Sequence, residues 1–579
     1  MEAAAKFKQQ YLPQPTMDAA DGHPAVDAIL GANPFVGLDA QQIAGGLGMI
    51  LLRAVSRPDL IAVQAMQLTA ELTRIITGAS EIEPEKGDRR FTDPAWADNP
   101  LYHRLMQTYL AWRAAMRKTA VESSPDWKRT ELERFLITLL TEALAPTNTL
   151  AGNPAALKRT FETGGVNLVR GMRNFLSDLW SNGGMPSQVD KRPFEVGKNI
   201  GVSPGAVVHR GELYELIQYR PTTPRVYERP LILVPPQINR FYIMDLAPKR
   251  SFTEYAVAHG IQFFTVSWRN PKPANRNWGL DQYVAACKEA AGIACEITGS
   301  GDCNLIGLCA GGITSSLLLG HLAAGARRNG RSRPGQVNSA TLLVTMLDSS
   351  LPSMVGMFTT EELVAAAIRR SAAKGVLDGS DMARIFAWLR PNDLVWNYWV
   401  NNYLMGNDPA PFDILFWNSD STNLPAALHA GFLNLMLRNS LTRPGDIEVL
   451  GTPIDLRRVD CDIYLLAGTT DHICAWRACY RSTRMFGGRT EFVLSSSGHV
   501  QSLVNPPGNF KSNYFVNPVL EDDPDAWLKG ATETKGTWWD HWLAWLTKRS
   551  GSEREAPAAL GSERHPPSDP APGRYVLEH

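Results

Sequence analysis

Asn304-Leu305-Ile306-Gly307-Leu308-Cys309-Ala310-Gly311-Gly312-Ile313 is the stretch on which the reading of this chain turns. Leu305 and Ile306 read as the end of a buried strand, and Ile313-Thr314-Ser315-Ser316-Leu317-Leu318-Leu319 as the helix after it. A reactive side chain on so sharp a strand-to-helix turn needs glycine on both sides. The neighbouring backbones nearly touch there, and a Cβ would clash. The amide dipoles of the following helix face the sulfur and favour thiolate over thiol. Taken alone, the pattern Gly-x-Cys-x-Gly-Gly fits either a cysteine nucleophile or a glycine-rich turn around a buried cysteine.

The flanking sequence separates these readings. From about Pro193, short β-rich runs alternate with helical stretches: Leu231–Val234, Gln262–Val266, Cys303–Ile306, Ala340–Thr345, Asp462–Leu466 and Thr490–Leu494. Continuous apolar runs of this kind are buried parallel strands, and their alternation with helices predicts a doubly wound α/β sheet. A nucleophile turn on such a sheet predicts an α/β-hydrolase fold, with the chain order nucleophile, acid, histidine.

Downstream of Cys309 the histidines are His429, His472, His499, His541, His565 and His579. His499 follows the run Thr490–Leu494 on the loop Ser495-Ser496-Ser497-Gly498, at the edge where open α/β sheets form their sites. Two acids stand at strand ends, Asp348 and Asp471; Asp471 lies one strand before the histidine and is favoured. His472 beside it is a substrate-contact candidate. An oxyanion hole needs two backbone N–H groups. Ala310 supplies one. The loop Val234-Pro235-Pro236-Gln237-Ile238-Asn239-Arg240 supplies the other, from Gln237 or Ile238 because prolines lack the donor, and Ile238 is preferred. A cysteine acyl-enzyme is a thioester, close in free energy to an acyl-coenzyme A. The residues thus allow acyl transfer from a thioester or hydrolysis, without choosing between them.

The whole chain narrows the partners. Its 579 residues exceed one ordinary domain. The 58 basic and 58 acidic side chains balance, which gives no electrostatic reason to expect nucleic acid. Seven cysteines without Cys-x-x-Cys spacing indicate neither a disulfide framework nor a zinc site, so no metal is expected. The N-terminal sequence lacks a signal-peptide core and no run is long enough to cross a bilayer, which predicts a cytoplasmic protein that is not transmembrane. Residues 1–35 read as a flexible arm. Residues 36–192 read as a helical domain with stripes at Leu101/Leu105/Tyr109/Trp112, Phe135/Leu136/Leu139/Leu140/Leu144 and Phe175/Leu176/Leu179/Trp180. Residues 193–579 read as the catalytic domain. It carries an aromatic-rich helical cap at about 349–446, a core-packed tryptophan helix (Trp538, Trp539, Trp542, Trp545) and a mobile tail from about 550.

Several segments together resemble the polyhydroxyalkanoate synthases, the poly(3-hydroxyacyl) polymerases. They are Gly307-Leu308-Cys309-Ala310-Gly311-Gly312, Pro235-Pro236-Gln237-Ile238-Asn239, Ser267-Trp268-Arg269-Asn270-Pro271, Leu389-Arg390-Pro391-Asn392-Asp393-Leu394-Val395-Trp396-Asn397-Tyr398, Phe416-Trp417-Asn418, Asp471-His472-Ile473 and Ser497-Gly498-His499. Asp93-Pro94-Ala95-Trp96, Thr108-Tyr109-Leu110-Ala111-Trp112-Arg113 and Gly183-Gly184-Met185-Pro186-Ser187-Gln188-Val189-Asp190 resemble the class II, medium-chain-length enzymes. Ala310 departs from that class, which carries serine there, and leaves short-chain monomers open. The resemblance implies a triad of Cys309, Asp471 and His499, and polymerisation of (R)-3-hydroxyacyl-coenzyme A with coenzyme A as leaving group and no cofactor. It also implies a homodimer at the surface of a polyester granule. Thr345 and Gln501 are acyl-pocket candidates, and Arg240, Arg269 and Arg390 are candidates for the coenzyme A phosphates. The alternatives are a cysteine-type esterase or thioesterase, and a granule-coating protein without catalysis.

Overall fold

The computed structural model describes Gly48 and residues 58–121, 126–326 and 336–579. The expected arm, 1–35, lies outside them. The described residues form two compact units. One comprises Arg192–Ser380 and Asp413–His579; the other comprises the residues through Lys191 together with Asp381–Phe412.

The first unit is built on a ten-stranded sheet. Its strands in chain order are β1 (Gly205–Arg210), β2 (Tyr214–Tyr219), β3 (Leu231–Val234), β4 (Phe263–Trp268), β5 (Asp302–Leu308), β6 (Gln336–Leu343), β7 (Asp462–Gly468), β8 (Thr490–Ser495), β9 (Asn513–Val516) and β10 (Thr532–Lys535). Their spatial order is β1-β2-β4-β3-β5-β6-β7-β8-β9-β10. The six inner strands β4 to β8 and β3 are parallel, and they coincide with the six apolar runs of the sequence. All four residues of β3 and all six of β4 are buried, as strands covered on both faces must be. Antiparallel pairs extend the sheet at each edge: β1 and β2 on one side, β9 and β10 on the other. The strand order reverses around β3 and β5, so the C-terminal ends of those strands open the crevice where such sheets bind ligands.

Helix Trp538–Thr547 packs on this sheet as expected from its stripe; Trp538, Trp539 and Trp542 are fully buried. Burying an indole strands its N–H unless an acceptor is found. Trp538 Nε1 donates to Ser502 O at 2.7 Å, Trp539 Nε1 to Leu503 O at 3.3 Å and Trp542 Nε1 to Thr341 Oγ1 at 3.1 Å.

Two expectations are corrected. The tail from Ser550 is packed, not mobile. Glu553–Glu555 pairs with Arg225–Tyr227, the Val207 N–H donates to Asp569 O at 2.8 Å, and Tyr575 and Val576 are buried. A composition rich in Pro, Ser, Glu and Arg predicts mobility, yet it does not prevent order where the backbone finds partners. Its prolines instead accompany an extended path whose backbone bonds to β1 and to the strand before β3. The segment 349–446, expected as one cap, is divided, because 381–412 belongs to the helical unit. There Trp399 and Tyr403 lie in edge contact at 5.1 Å, Phe175 meets Tyr403 at 5.4 Å, and Tyr403 Oη donates to Asp178 at 2.7 Å. These aromatics are core of the helical unit.

That unit contains helices Pro58–Thr77, Pro100–Val121, Trp127–Ala143, Pro154–Glu162 and Val166–Ser181. The predicted stripes are only partly its core: Tyr109, Phe135 and Leu136 are buried, while Leu101 and Leu144 are exposed. Helix Val166–Ser181 ends at Asn182-Gly183-Gly184, with both glycines at positive φ and the Gly184 N–H on Asp178 O at 3.0 Å. It buries Asn167, Gly171 and Asp178 on one face. On another it exposes Val166, Val169, Met172, Leu176, Leu179 and Trp180, the last 87% exposed.

Candidate active site

Cys309 follows β5 directly and immediately precedes helix Ala310–Ala326. Its φ is +48°, a strained value for a residue with a side chain. The turn holds this conformation because its neighbours are glycine. A Cβ on Gly307 would sit 2.6 Å from Ser315 Oγ, and one on Gly311 would sit 2.6 Å from Pro235 O. The Cys309 N–H donates to Leu343 O at 2.9 Å, tying the turn to the end of β6.

Asp471 follows β7 and His499 follows β8, so adjacent parallel strands deliver acid and base to one edge. His499 Nδ1 and Asp471 Oδ2 are 2.6 Å apart, and both residues are buried. The other Asp471 oxygen, Oδ1, accepts the N–H groups of Ile473 at 2.8 Å and Cys474 at 2.9 Å. The carboxylate is thereby fixed with one oxygen on the loop backbone and one on the imidazole. The short helix His499–Leu503 is held from beneath by the Trp538 and Trp539 indoles.

Electrostatics follow from these contacts. Burial alone would lower the His499 pKa; the Asp471 carboxylate, joined by the Cys309 sulfur, outweighs it and pushes the group up to about 10. His499 in turn favours the Cys309 thiolate. The adjacent Cys474 sulfur and burial act the other way and hold the Cys309 thiol above its usual range. A strong base acting on a thiol at a half-buried turn is arranged for proton transfer and nucleophilic attack.

Cys474 is the residue that sequence reasoning passed over. It is buried, three positions after Asp471, and its sulfur is the first influence that raises the Cys309 pKa. The only sequence signal was a cysteine on the loop of the chosen acid. Donor atoms of Asp471, Cys474 and His499 lie within 4.8 Å of one another, a set able to gather a soft divalent cation. The 2.6 Å bond between Asp471 and His499 commits both groups to each other, which suits proton transfer better than ligation.

Of the oxyanion candidates, Ala310 directly follows the nucleophile and Ile238 lies on the loop after β3. The Ala310 N–H heads helix Ala310–Ala326, among the amides with no acceptor inside their own helix. The loop after β3 is pinned against the same helix by Gln237 Nε2 on Thr314 Oγ1 at 2.9 Å, and Ile238 O accepts the Thr422 N–H at 3.3 Å. Thr345 is buried behind the nucleophile, its hydroxyl on Leu343 O at 3.0 Å and Cys309 O at 3.4 Å, so it braces the turn. Gln501 is exposed two residues beyond His499, and His472 is half-buried beside Asp471. Asp348, the other acid considered, is committed elsewhere. It accepts from Asn439 Nδ2 and Ser350 N, both at 2.9 Å.

The three arginines named as phosphate candidates each have a carboxylate partner in the structure. Arg240 is buried and spends its guanidinium on Asp420 at 3.3 Å, Tyr575 O at 3.1 Å and Glu578 O. Arg269 pairs with Glu578 at 2.8 Å and lies 4.8 Å over the Tyr575 ring. Arg390 belongs to the helical unit and pairs with Asp393 on its surface. Each cation already has a carboxylate, and for Arg240 and Arg269 the packed tail supplies the partners that a mobile tail could not.

Known proteins resemble this chain along most of its length. Residues 87–256 match the family model described as the N-terminus of poly-beta-hydroxybutyrate polymerase (PhaC), and residues 244–506 match the alpha/beta hydrolase fold. The chain is 49% identical over 554 residues to poly(3-hydroxyalkanoate) polymerase 1 of Ectopseudomonas oleovorans, covering 96% of this chain and 98% of that one. It is 48% identical to polymerase 2 of the same organism, covering 94% and 96%. It is 40% identical to the poly(3-hydroxyalkanoate) polymerase subunit PhaC of Cupriavidus necator, covering 86% and 84%. With a cysteine on the nucleophile turn of an α/β-hydrolase sheet and near-complete likeness to these enzymes, the chain belongs to the poly(3-hydroxyalkanoate) polymerase family.

Proposed function

We propose that this chain polymerises (R)-3-hydroxyacyl-coenzyme A, of medium chain length by preference, into polyester through an acyl thioester on Cys309. The observation that carries the mechanism is the bond from Asp471 to His499 beside a thiol at positive φ. His499 takes the Cys309 proton, the sulfur attacks the thioester carbonyl, and the N–H groups of Ala310 and Ile238 receive the developing oxyanion. His499 returns the proton to the departing coenzyme A sulfur. The 3-hydroxyl of an acyl unit then attacks the Cys309 thioester, moving from thioester to oxygen ester, which is downhill. His499 is the base for that hydroxyl as well. Both Asp471 oxygens are occupied, Oδ1 by two amides and Oδ2 by the imidazole, which supports an orienting role for the acid.

Purified protein given four-carbon and ten-carbon 3-hydroxyacyl-coenzyme A tests this reading. Coenzyme A release with insoluble polyester, faster on the ten-carbon substrate, is expected. Release with soluble 3-hydroxy acid alone would instead assign a thioesterase.

The same reading places a homodimer in the cytoplasm at the surface of its own product. No helix of the described residues is long and apolar enough to cross a membrane. The uncovered apolar face of helix Val166–Ser181 supports contact with a hydrophobic polymer surface. Trp180→Glu with Val169→Glu should leave coenzyme A release on soluble substrate intact and shift the enzyme from sedimenting polyester to the supernatant.

A further inference from the structure

We propose that Thr422 is a positioning residue for the oxyanion hole: its hydroxyl holds the Gln237 carbonyl and so aims the Ile238 N–H at the oxyanion that forms on Cys309. The inference rests on Ile238 being one of the two oxyanion donors.

A peptide unit is planar and trans, so its C=O and N–H point in opposite directions. The Ile238 N–H belongs to the same unit as the Gln237 carbonyl, and whatever holds that carbonyl sets the direction of the N–H. Thr422 Oγ1 donates to Gln237 O at 2.7 Å, and Thr422 is only 2% exposed, so water does not compete for the bond. The Thr422 N–H donates to Ile238 O at 3.3 Å, and Asn239 forms an antiparallel bridge with Ser421. Trp417 Nε1 donates to Arg240 O at 2.7 Å. Residues 417–422 thus hold the carbonyls of Gln237, Ile238 and Arg240.

The loop held in this way lies against the nucleophile turn. Strands β3 and β5 are parallel neighbours, with Val234 beside Gly307, two residues before Cys309. A Cβ on Gly311 would sit 2.3 Å from Val234 O, so the start of the loop touches the first turn of the nucleophile helix. Gln237 Nε2 donates to Thr314 Oγ1 at 2.9 Å, and the Thr314 hydroxyl donates to Ala310 O at 3.2 Å. Gln237 is therefore fixed twice, its carbonyl by Thr422 and its side chain by the helix that Ala310 heads. A donor aimed in advance stabilises the developing charge without reorganising when the sulfur attacks. Without the Thr422 hydroxyl the Gln237–Ile238 peptide can tilt, and the Ile238 N–H loses its aim.

The full chain carrying Thr422→Val, Thr422→Ala or Thr422→Ser is compared with the wild type in single-turnover acylation of Cys309 and in steady-state coenzyme A release. The Val and Ala variants should lose about 10- to 100-fold in kcat, less than the loss of a whole oxyanion donor, with KM and the pH profile unchanged. Thr422→Ser keeps the hydroxyl and should stay within about threefold of the wild type. A decyl trifluoromethyl ketone reads the oxyanion hole without turnover. The Cys309 thiolate adds to its carbonyl carbon, a C–S bond forms, and the C=O π pair moves onto oxygen as an oxyanion. Its affinity should fall with kcat in the Val and Ala variants and recover in Thr422→Ser, all rates being taken per folded protein from the melting profiles. Unchanged kcat and ketone affinity in the Val and Ala variants would overturn the proposal, as would a loss confined to the melting profile. A shifted pH profile would also overturn it, by placing Thr422 on the triad instead. Failure of the underlying reading shows separately, as kcat and ketone affinity surviving in Ile238→Pro, which lacks the N–H.

Discussion

Two buried histidines of the hydrolase-like unit carry opposite charge tendencies. His429, in helix Ala426–Arg438, has Nδ1 3.0 Å from Ser371 Oγ, and burial lowers its pKa to about 4. His499 is buried to a similar degree, with Nδ1 2.6 Å from Asp471, and its pKa is pushed up to about 10. The same ring in the same kind of interior is held neutral in one place and made strongly basic in the other. The partner decides. A hydroxyl leaves the desolvation cost standing, whereas a carboxylate reverses it and turns a packing residue into a base.

The comparison can be broken from either side. The largest effect is expected for His499→Ala, which removes the base altogether. Coenzyme A release should fall by about 10⁶, by analogy with the loss of a triad histidine, while His429→Gln should leave the rate nearly unchanged. Next comes Asp471→Asn, which gives His499 a neutral partner of the kind His429 has. Burial should then dominate, the imidazole should become a weak base, and acylation of Cys309 should slow by about 10⁴ with some acyl-enzyme still formed in single-turnover labelling. A loss confined to stability, with acylation unimpaired, would contradict the assignment of roles.

The smaller effects concern stability. The folded His429 pKa of about 4 lies below the ordinary value of 6.5, so protonation favours the unfolded chain. Its contribution is complete above pH 6.5, declines as the pH falls and levels off near pH 4. Between pH 7 and pH 5 the loss should be about 2 kcal/mol, read as a shift in urea midpoint that His429→Gln abolishes. Smallest is Ser371→Asp, which should reduce that acid sensitivity by giving His429 a carboxylate. An unchanged pH dependence in this variant would show that partner charge is not the deciding difference.

The sequence made the parallel core and the triad legible for the same reason. Continuous apolar runs mark strands covered on both faces, and catalytic residues in this fold sit just beyond the C-terminal ends of those runs. Asp471 and His499 could be chosen by position alone. The antiparallel edge strands Tyr214–Tyr219 and Asn513–Val516 carry no such run, because Glu215 and Gln218 interrupt the first and the second is only four residues long. The cap was misjudged because aromatic content cannot say which core it fills: Trp399 and Tyr403 pack with Phe175, more than two hundred positions earlier. Arginines were the least legible. A guanidinium suited to phosphate is equally suited to Asp420 or Glu578, and only the folded tail reveals that Arg240 and Arg269 are already occupied.

That tail has a consequence for synthesis. Arg240 stands beside the first strands of the sheet, yet two of its acceptors, the carbonyls of Tyr575 and Glu578, are made more than three hundred residues later. The Tyr575 N–H likewise reaches back to Glu215 at 3.0 Å, and Arg225–Tyr227 waits for Glu553–Glu555. A chain still tethered to the ribosome therefore holds the reactive cysteine on an unfinished frame, with an interior guanidinium short of acceptors. Contacts of such sequence separation form late and slowly. The order of translation itself thus delays the finished frame until Tyr575 and Glu578 emerge.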